Sequence, residues 1–213
     1  MVGGARQSGG RLAAMKAVVI FAHPDPSSSF EAAARDAVVR GLRRRGATVE
    51  VLDLYALGFV AAMTRAERLA YITDQPILDP MVAAHAASVR GAHTVVFVYR
   101  TVNWGVPAML KGWFERVLVS GVAFTLDEKS GRFRPGLKQM RRIVGVSTYT
   151  ASVGEMRFFN DAGRRIICRG LRLSAPRART HWHGLYEIDQ SGPEASEKKG
   201  AFLEHLETAM AKP

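Results

Sequence analysis

Five short apolar runs rich in β-branched residues recur along the chain, at 17–21, 48–52, 94–99, 142–147 and 178–185. They are nearly continuous rather than strictly alternating, as strands buried on both faces are. The stretches between them carry a helical period. Phe30, Ala33, Ala34, Ala37, Val38, Gly41 and Leu42 fall on one stripe, with Ser29 placed to cap its start and Gly46 to stop it. A second stripe, Val106, Met109, Leu110, Trp113, Phe114, Val117 and Leu118, predicts a helix with Pro107 in its first turn. Thr64 and Glu67 form a capping-box pair for a short helix to about Thr73. Further helices are predicted over 80–90, 161–173 and 194–211. Strands alternating with helices imply a parallel sheet covered on both faces, folded as one α/β domain over 16–213 behind a flexible tail, 1–15.

Composition narrows the class of protein. The apolar runs fall far below the ~20 residues that cross a bilayer, so no membrane span is expected. Residues 1–15 lack the apolar stretch of a secretory signal, and the single Cys168 cannot form an internal disulfide; both fit a cytoplasmic protein. The net charge of +11 is concentrated in one place. Between Arg132 and Arg179, 12 Lys/Arg face only Glu155 and Asp161. Such a surface suits a phosphorylated dinucleotide, an acidic substrate or anionic lipid, or is simply a solvated basic face. Neither interleaved aromatics nor zinc-finger spacing points to nucleic acid, so no nucleic-acid partner is expected.

Ligands of open parallel sheets bind beyond the carboxyl ends of the strands. Three loops there carry chemistry. The first runs from His23 through Ser27, Ser28 and Ser29 to Phe30, placing hydroxyls and free N–H groups at a helix start. It is either a phosphate cradle or a plain helix cap. The second, Arg100, Thr101, Val102, Asn103, Trp104 and Gly105, offers an aromatic beside polar backbone on which a flat conjugated ring could lie. A Trp there equally serves core or interface packing. The third, Ser147, Thr148, Tyr149, Thr150, adds hydroxyls after the fourth strand.

Together these loops resemble the flavodoxin-like NAD(P)H:quinone oxidoreductase family over about residues 16–211. The most specific stretch is GVPAMLKGWFERV at 105–117 with GVAF at 121–124, supported by AHPDP at 22–26, LDLY at 52–55 and RPGL at 134–137. The resemblance implies a flavodoxin-like doubly wound five-stranded parallel sheet, order 2-1-3-4-5, with helices on both faces. It implies FAD, with FMN an alternative, and NADPH or NADH as donor in a ping-pong transfer of hydride to a quinone or similar small acceptor. By the same resemblance His23, Ser29 and Phe30 border the flavin's phosphate-bearing chain. Thr101, Val102, Asn103 and Trp104, and Ser147, Thr148, Tyr149 and Thr150, border its ring. Tyr149 is the residue expected to border the acceptor and donate to it, and a homodimer is expected. Four positions depart from the family pattern: Glu31 replaces Asn, Arg100 replaces Pro, Asn103 an aromatic and Thr150 Gly.

Two other readings stay open on sequence. One is a non-catalytic or regulatory flavodoxin-fold subunit, for example of an ion-efflux system, which the family contains. The other is a zinc-dependent deacetylase, whose strand-end His-Pro-Asp-Asp is similar to Ala22 through Asp25; here Pro26 stands where the second Asp would be.

Overall fold

A computed structural model describes residues 15–71, 73–127 and 130–213. Strand β1 (Lys16–Ala22) pairs in parallel with β2 (Thr48–Asp53) on one side and β3 (Thr94–Arg100) on the other. The sheet continues through β6 (Arg142–Thr148) to β7 (Arg179–Leu185), also parallel. The order β2-β1-β3-β6-β7 is the expected 2-1-3-4-5 once the five sheet strands are counted alone. β4 (Phe124–Leu126) and β5 (Phe133–Pro135) form a separate antiparallel hairpin that the apolar pattern does not announce. Of the expected tail, residues 1–14 lie outside the described residues. Met15 already accepts a bond from Thr48 N–H at 2.9 Å, so the sheet begins there.

Period-two alternation along β1 divides the core. Ala17, Val19 and Phe21 pack under α1 (Phe30–Arg44) and α7 (Pro193–Ala211); Val18, Ile20 and Ala22 face the other layer. That layer holds α3 (Pro80–Gly91) and α4 (Ala108–Val117), whose Leu110, Trp113 and Val117 are fully buried. Ser29 caps α1 through Ala32 N–H, and α2 (Arg65–Ala70) begins with the Thr64–Glu67 capping box. Pro107 precedes α4 at its cap rather than sitting within the first turn, because its extended backbone (ψ 154°) has not yet entered the helix. No helix among the described residues is long and apolar enough to cross a membrane.

The helix expected over 161–173 is not continuous. Asp161 caps α6 (Ala162–Arg165), and the chain then widens into a π turn, Ile166–Gly170, closed by Leu171 N–H to Ile166 O. A 3₁₀ turn, Leu171–Leu173, ends it. Before it stands α5 (Val153–Phe158), whose Ser152–Glu155 capping box is legible in the sequence but was not read there. α5 follows the carboxyl end of β6, and the 161–173 segment packs on β6 and β7 as the chain returns to the amino end of β7.

Candidate active site

The turn after β3 is built by strain. Val102 and Gly105 exchange both backbone bonds, at 3.1 and 3.0 Å, across a two-residue turn in which Asn103 (φ 46°) and Trp104 (φ 64°) are both left-handed. Left-handed backbone costs a bulky residue of order 1–3 kcal/mol, and such positions concentrate at functional sites. The turn lifts the Trp104 ring to the surface, where it stacks on Phe159 at 3.9 Å and 19°. Below it, Thr101 N–H donates to Thr148 O at 2.9 Å, and the Thr101 and Ser147 hydroxyls bond at 2.8 Å.

Between this turn and the loop after β6 lies a slot of about 290 Å³, bordered by Thr101, Asn103, Trp104, Tyr149, Thr150 and Met156. The backbone N–H groups of Asn103, Trp104, Thr150 and Ala151 make no bond to other described residues. They are available to a ligand's heteroatoms. Thus Thr101, Asn103, Trp104, Tyr149 and Thr150 come together at the slot, whereas Ser147 and Thr148 are buried beneath it and Val102 is exposed beside it.

Tyr149 borders the slot with its hydroxyl committed inside the protein. Its ring borders the slot, but the residue is 1 % exposed and its hydroxyl donates to Asp161 Oδ2 at 2.8 Å. Burial first, and the Asp161 carboxylate second, push its pKa well above the ordinary tyrosine range. The ring stacks on Tyr186 at 4.5 Å and 10°. Arg100 crosses the strand ends instead of facing the slot, donating to Asp189 at 2.7 and 2.8 Å and to Thr150 Oγ1 at 3.0 Å.

In the loop after β1 the chain's own carboxylate occupies the free N–H groups. Asp25 Oδ1 accepts from the Ser27 and Ser28 N–H groups at 3.1 and 3.0 Å, and the Ser28 hydroxyl donates to Oδ2. These bonds, that from the Ser28 hydroxyl foremost, lower the Asp25 pKa to about 2. Ser29 donates to Asp25 O at 2.6 Å and caps Ala32 N–H. Glu31 turns inward: it is 2 % exposed, accepts from the Thr148 hydroxyl and lies 3.5 Å from His23 Nε2. His23 also meets the Asp25 backbone through Nδ1, at 3.2 Å to its N–H. No cluster of three or more potential metal-ligating His, Cys, Asp or Glu occurs among the described residues.

Asp25, Asp161 and Asp189 are site residues that sequence reasoning did not single out. Asp25 has a local signal, an Asp two and three residues before serines at a helix start. Asp161 and Asp189 act on residues 12 and 39 positions away, Tyr149 and Thr150, and have none.

A doubly wound sheet with an anion cradle after its first strand and a ring-sized slot between its third and fourth loops defines a flavodoxin-like protein. The flavodoxin-like fold family matches residues 15–164, and the chain belongs to its NAD(P)H dehydrogenase (quinone) branch. It is 30 % identical over 160 residues to ribosyldihydronicotinamide dehydrogenase [quinone] of Pongo abelii, covering 68 % of this chain and 67 % of that one. With NAD(P)H dehydrogenase [quinone] 1 of Rattus norvegicus it shares 33 % over 129 residues, 54 % of this chain and 47 % of the relative, so the matched region spans about half of that protein's length. Among solved structures, the NAD(P)H:quinone oxidoreductase of Methanothermobacter marburgensis superposes with a TM-score of 0.73 at 22 % identity, covering 93 % of this chain and 96 % of its own. The FMN complex of an FMN-dependent NADH-azoreductase from Bacillus anthracis superposes with a TM-score of 0.69 at 17 % identity, covering 93 % and 100 %. These two likenesses concern the fold.

Proposed function

We propose that the chain is a flavin-dependent oxidoreductase that draws electrons from NAD(P)H and passes them to a quinone or similar small electrophile. The carrying observation is the slot: a strained aromatic turn on one side, a hydroxyl-rich loop on the other, and four uncommitted N–H groups among the described residues. Its volume suits a tricyclic ring. The cradle passes its own test of fit, since Ser27 and Ser28 hold a carboxylate with the bonds they would offer a phosphate once Asp25 swings out. The relatives named as quinone dehydrogenases, and the neighbour that carries FMN, support the same reading.

Reversible two-electron hydride exchange is the chemistry a bound flavin supplies. This chain's residues position and shield. His23, Ser29 and Phe30 border the tail; Thr101, Val102, Asn103 and Trp104, with Thr148, Tyr149 and Thr150, form or support the ring slot, and Ser147 braces Thr101. Tyr149 presents ring carbon to the slot, its hydroxyl being bound to Asp161. Donor and acceptor occupy the same space in turn, as ping-pong exchange requires. FAD and FMN share the ring and first phosphate, so the cradle admits either. The exposed aromatics beside the slot, Trp104 at 41 % and its stacking partner Phe159 at 44 %, suit burial in a homodimer.

Asp25 and Glu31 at the cradle favour a second reading, a flavodoxin-fold subunit that has lost flavin affinity and serves a regulatory role. Reconstitution separates the two. The enzyme is yellow after incubation with FMN or FAD, absorbs near ~450 nm, is bleached by NADPH without oxygen and recovers its colour with quinone. A chain that takes up neither flavin rejects the enzyme reading. Mass analysis of the extracted cofactor assigns FAD or FMN.

A further inference from the structure

A second cleft, about 600 Å³ and roughly twice the slot's size, opens on the other side of Met156, between α5, α6, the π turn and the edge strand β7. Arg157, Arg164, Arg165, Arg169 and Arg172 line it. No carboxylate among the described residues pairs with any of the five. The one acid in the lining, Asp161, spends its oxygens on the Tyr149 hydroxyl (2.8 Å) and the Arg164 backbone N–H (3.0 Å). The base is aromatic, from Trp182 and Tyr186. Trp182 lies over Gly145, where a Cβ would stand 2.2 Å from its ring.

The succession of turns explains how so many cations share one wall. Arg165, Arg169 and Arg172 come from α6, the π turn and the 3₁₀ turn in succession, and all three line this wall. Within the π turn Ile167 is fully buried while these arginines are exposed. Irregular turns of this kind frequently mark ligand sites. Five like charges on one cleft repel one another, and a bound polyanion would offset that cost. Guanidinium forks match phosphate oxygens in pairs, and an aromatic base accepts a purine.

We propose that this cleft binds a phosphorylated nucleoside. Two sources share that chemistry, the 2′-phosphoadenosine end of NADPH and a free nucleotide; assigning the first rests on the oxidoreductase reading, whereas nucleotide binding does not. The slot and cleft share Met156, and Tyr149 of the slot stacks on Tyr186 of the cleft, so one dinucleotide reaching both is the arrangement the geometry favours.

Calorimetric titration of the flavin-free chain with adenosine 2′,5′-bisphosphate tests it. Saturable one-to-one binding is expected, weakening as salt rises, with adenosine alone not bound. Arg169→Ala and Arg172→Ala each weaken it about tenfold, Arg172→Lys less, and Arg44→Ala, on the far surface, not at all. Absence of saturable binding, or equal loss in Arg44→Ala, overturns the proposal. Kinetics then assign the source. If NADPH enters the cleft, Arg169→Ala raises KM for NADPH more than KM for NADH and leaves kcat unchanged; if neither KM moves while calorimetric binding is lost, the occupant is a free nucleotide. Because the titration needs no flavin, a chain that takes up neither FMN nor FAD yet binds the bisphosphate would reject the enzyme reading and keep the site.

Discussion

The Thr148 hydroxyl donates to the Glu31 carboxylate across 117 residues of chain, closing the space beneath the mouths of β1 and β6. This bond aims a fully buried acid at the region where a phosphate-bearing tail would pass. Glu31→Gln keeps an acceptor for Thr148 and removes the charge, so flavin should bind about tenfold more tightly. Asp25→Asn should act in the same direction by weakening the carboxylate that fills the cradle. Fluorescence quenching of FMN by each variant measures both. Unchanged affinity in the two variants would show that neither acid competes with the tail.

Tyr149 offers a separate test of how the slot works. Tyr149→Phe deletes the 2.8 Å bond to Asp161 and leaves the ring in place. The expected loss is ~1–3 kcal/mol of stability, from an acceptor left partly unsatisfied, with kcat/KM for donor and acceptor little altered. A fall of about tenfold or more in kcat/KM at full flavin content would mean that the hydroxyl leaves Asp161 and reaches the acceptor.

Stability should fall between near-neutral and mildly acidic pH because of His183. Its Nδ1 lies 3.0 Å from His205 Nε2, and burial first, then the charges of His205, His181 and Arg142, lower its pKa to about 4 from the ordinary 6.5. The unfolded chain therefore takes up a proton that the folded chain refuses. The contribution is complete above pH 6.5 and is lost as pH drops toward 4, ~1–2 kcal/mol after allowing for partial exposure. Urea midpoints at pH 7.5 and 5 should differ less in His183→Gln than in the parent. An equal difference would place the acid sensitivity elsewhere, for instance at His85 or His181, whose pKa values burial also lowers.

Arg116 anchors the layer opposite α1. Its guanidinium bonds Glu67 at 2.9 and 2.6 Å, Asp79 at 2.9 Å and the Val60 carbonyl, with the side chain 4 % exposed. Arg116→Met should cost ~3–5 kcal/mol, because Glu67 is left as a buried charge without its partner, and adding Glu67→Gln should restore part of it. Chemical denaturation of the single and double variants measures this. Additive losses would show that the two groups are not coupled.

The five strands and their parallel pairing were legible because continuous apolar runs and helical stripes alternate, and a parallel sheet covered on both faces buries both patterns at once; the strand order came from the family resemblance. The loops after β1, β3 and β6 were legible as a site for the same reason, since such folds bind ligands where those loops converge. The hairpin β4–β5 was not legible: its three-residue strands are too short for periodicity to register. The break of the 161–173 helix carries no local signal either, because one Leu171–Ile166 bond shifts the register without any Gly or Pro inside the turn's first residues.

The chain's own order of residues thus determined which loops meet at the sheet's edge and how much positive charge follows β5. Folding decided where the acids point: Asp25 into its own loop, Glu31 under β6, Asp161 onto Tyr149, Asp189 onto Arg100. The distinction is physical. Strand and helix patterns are set by near neighbours in sequence, whereas a side chain's partner is chosen among groups that only tertiary packing brings within hydrogen-bond reach.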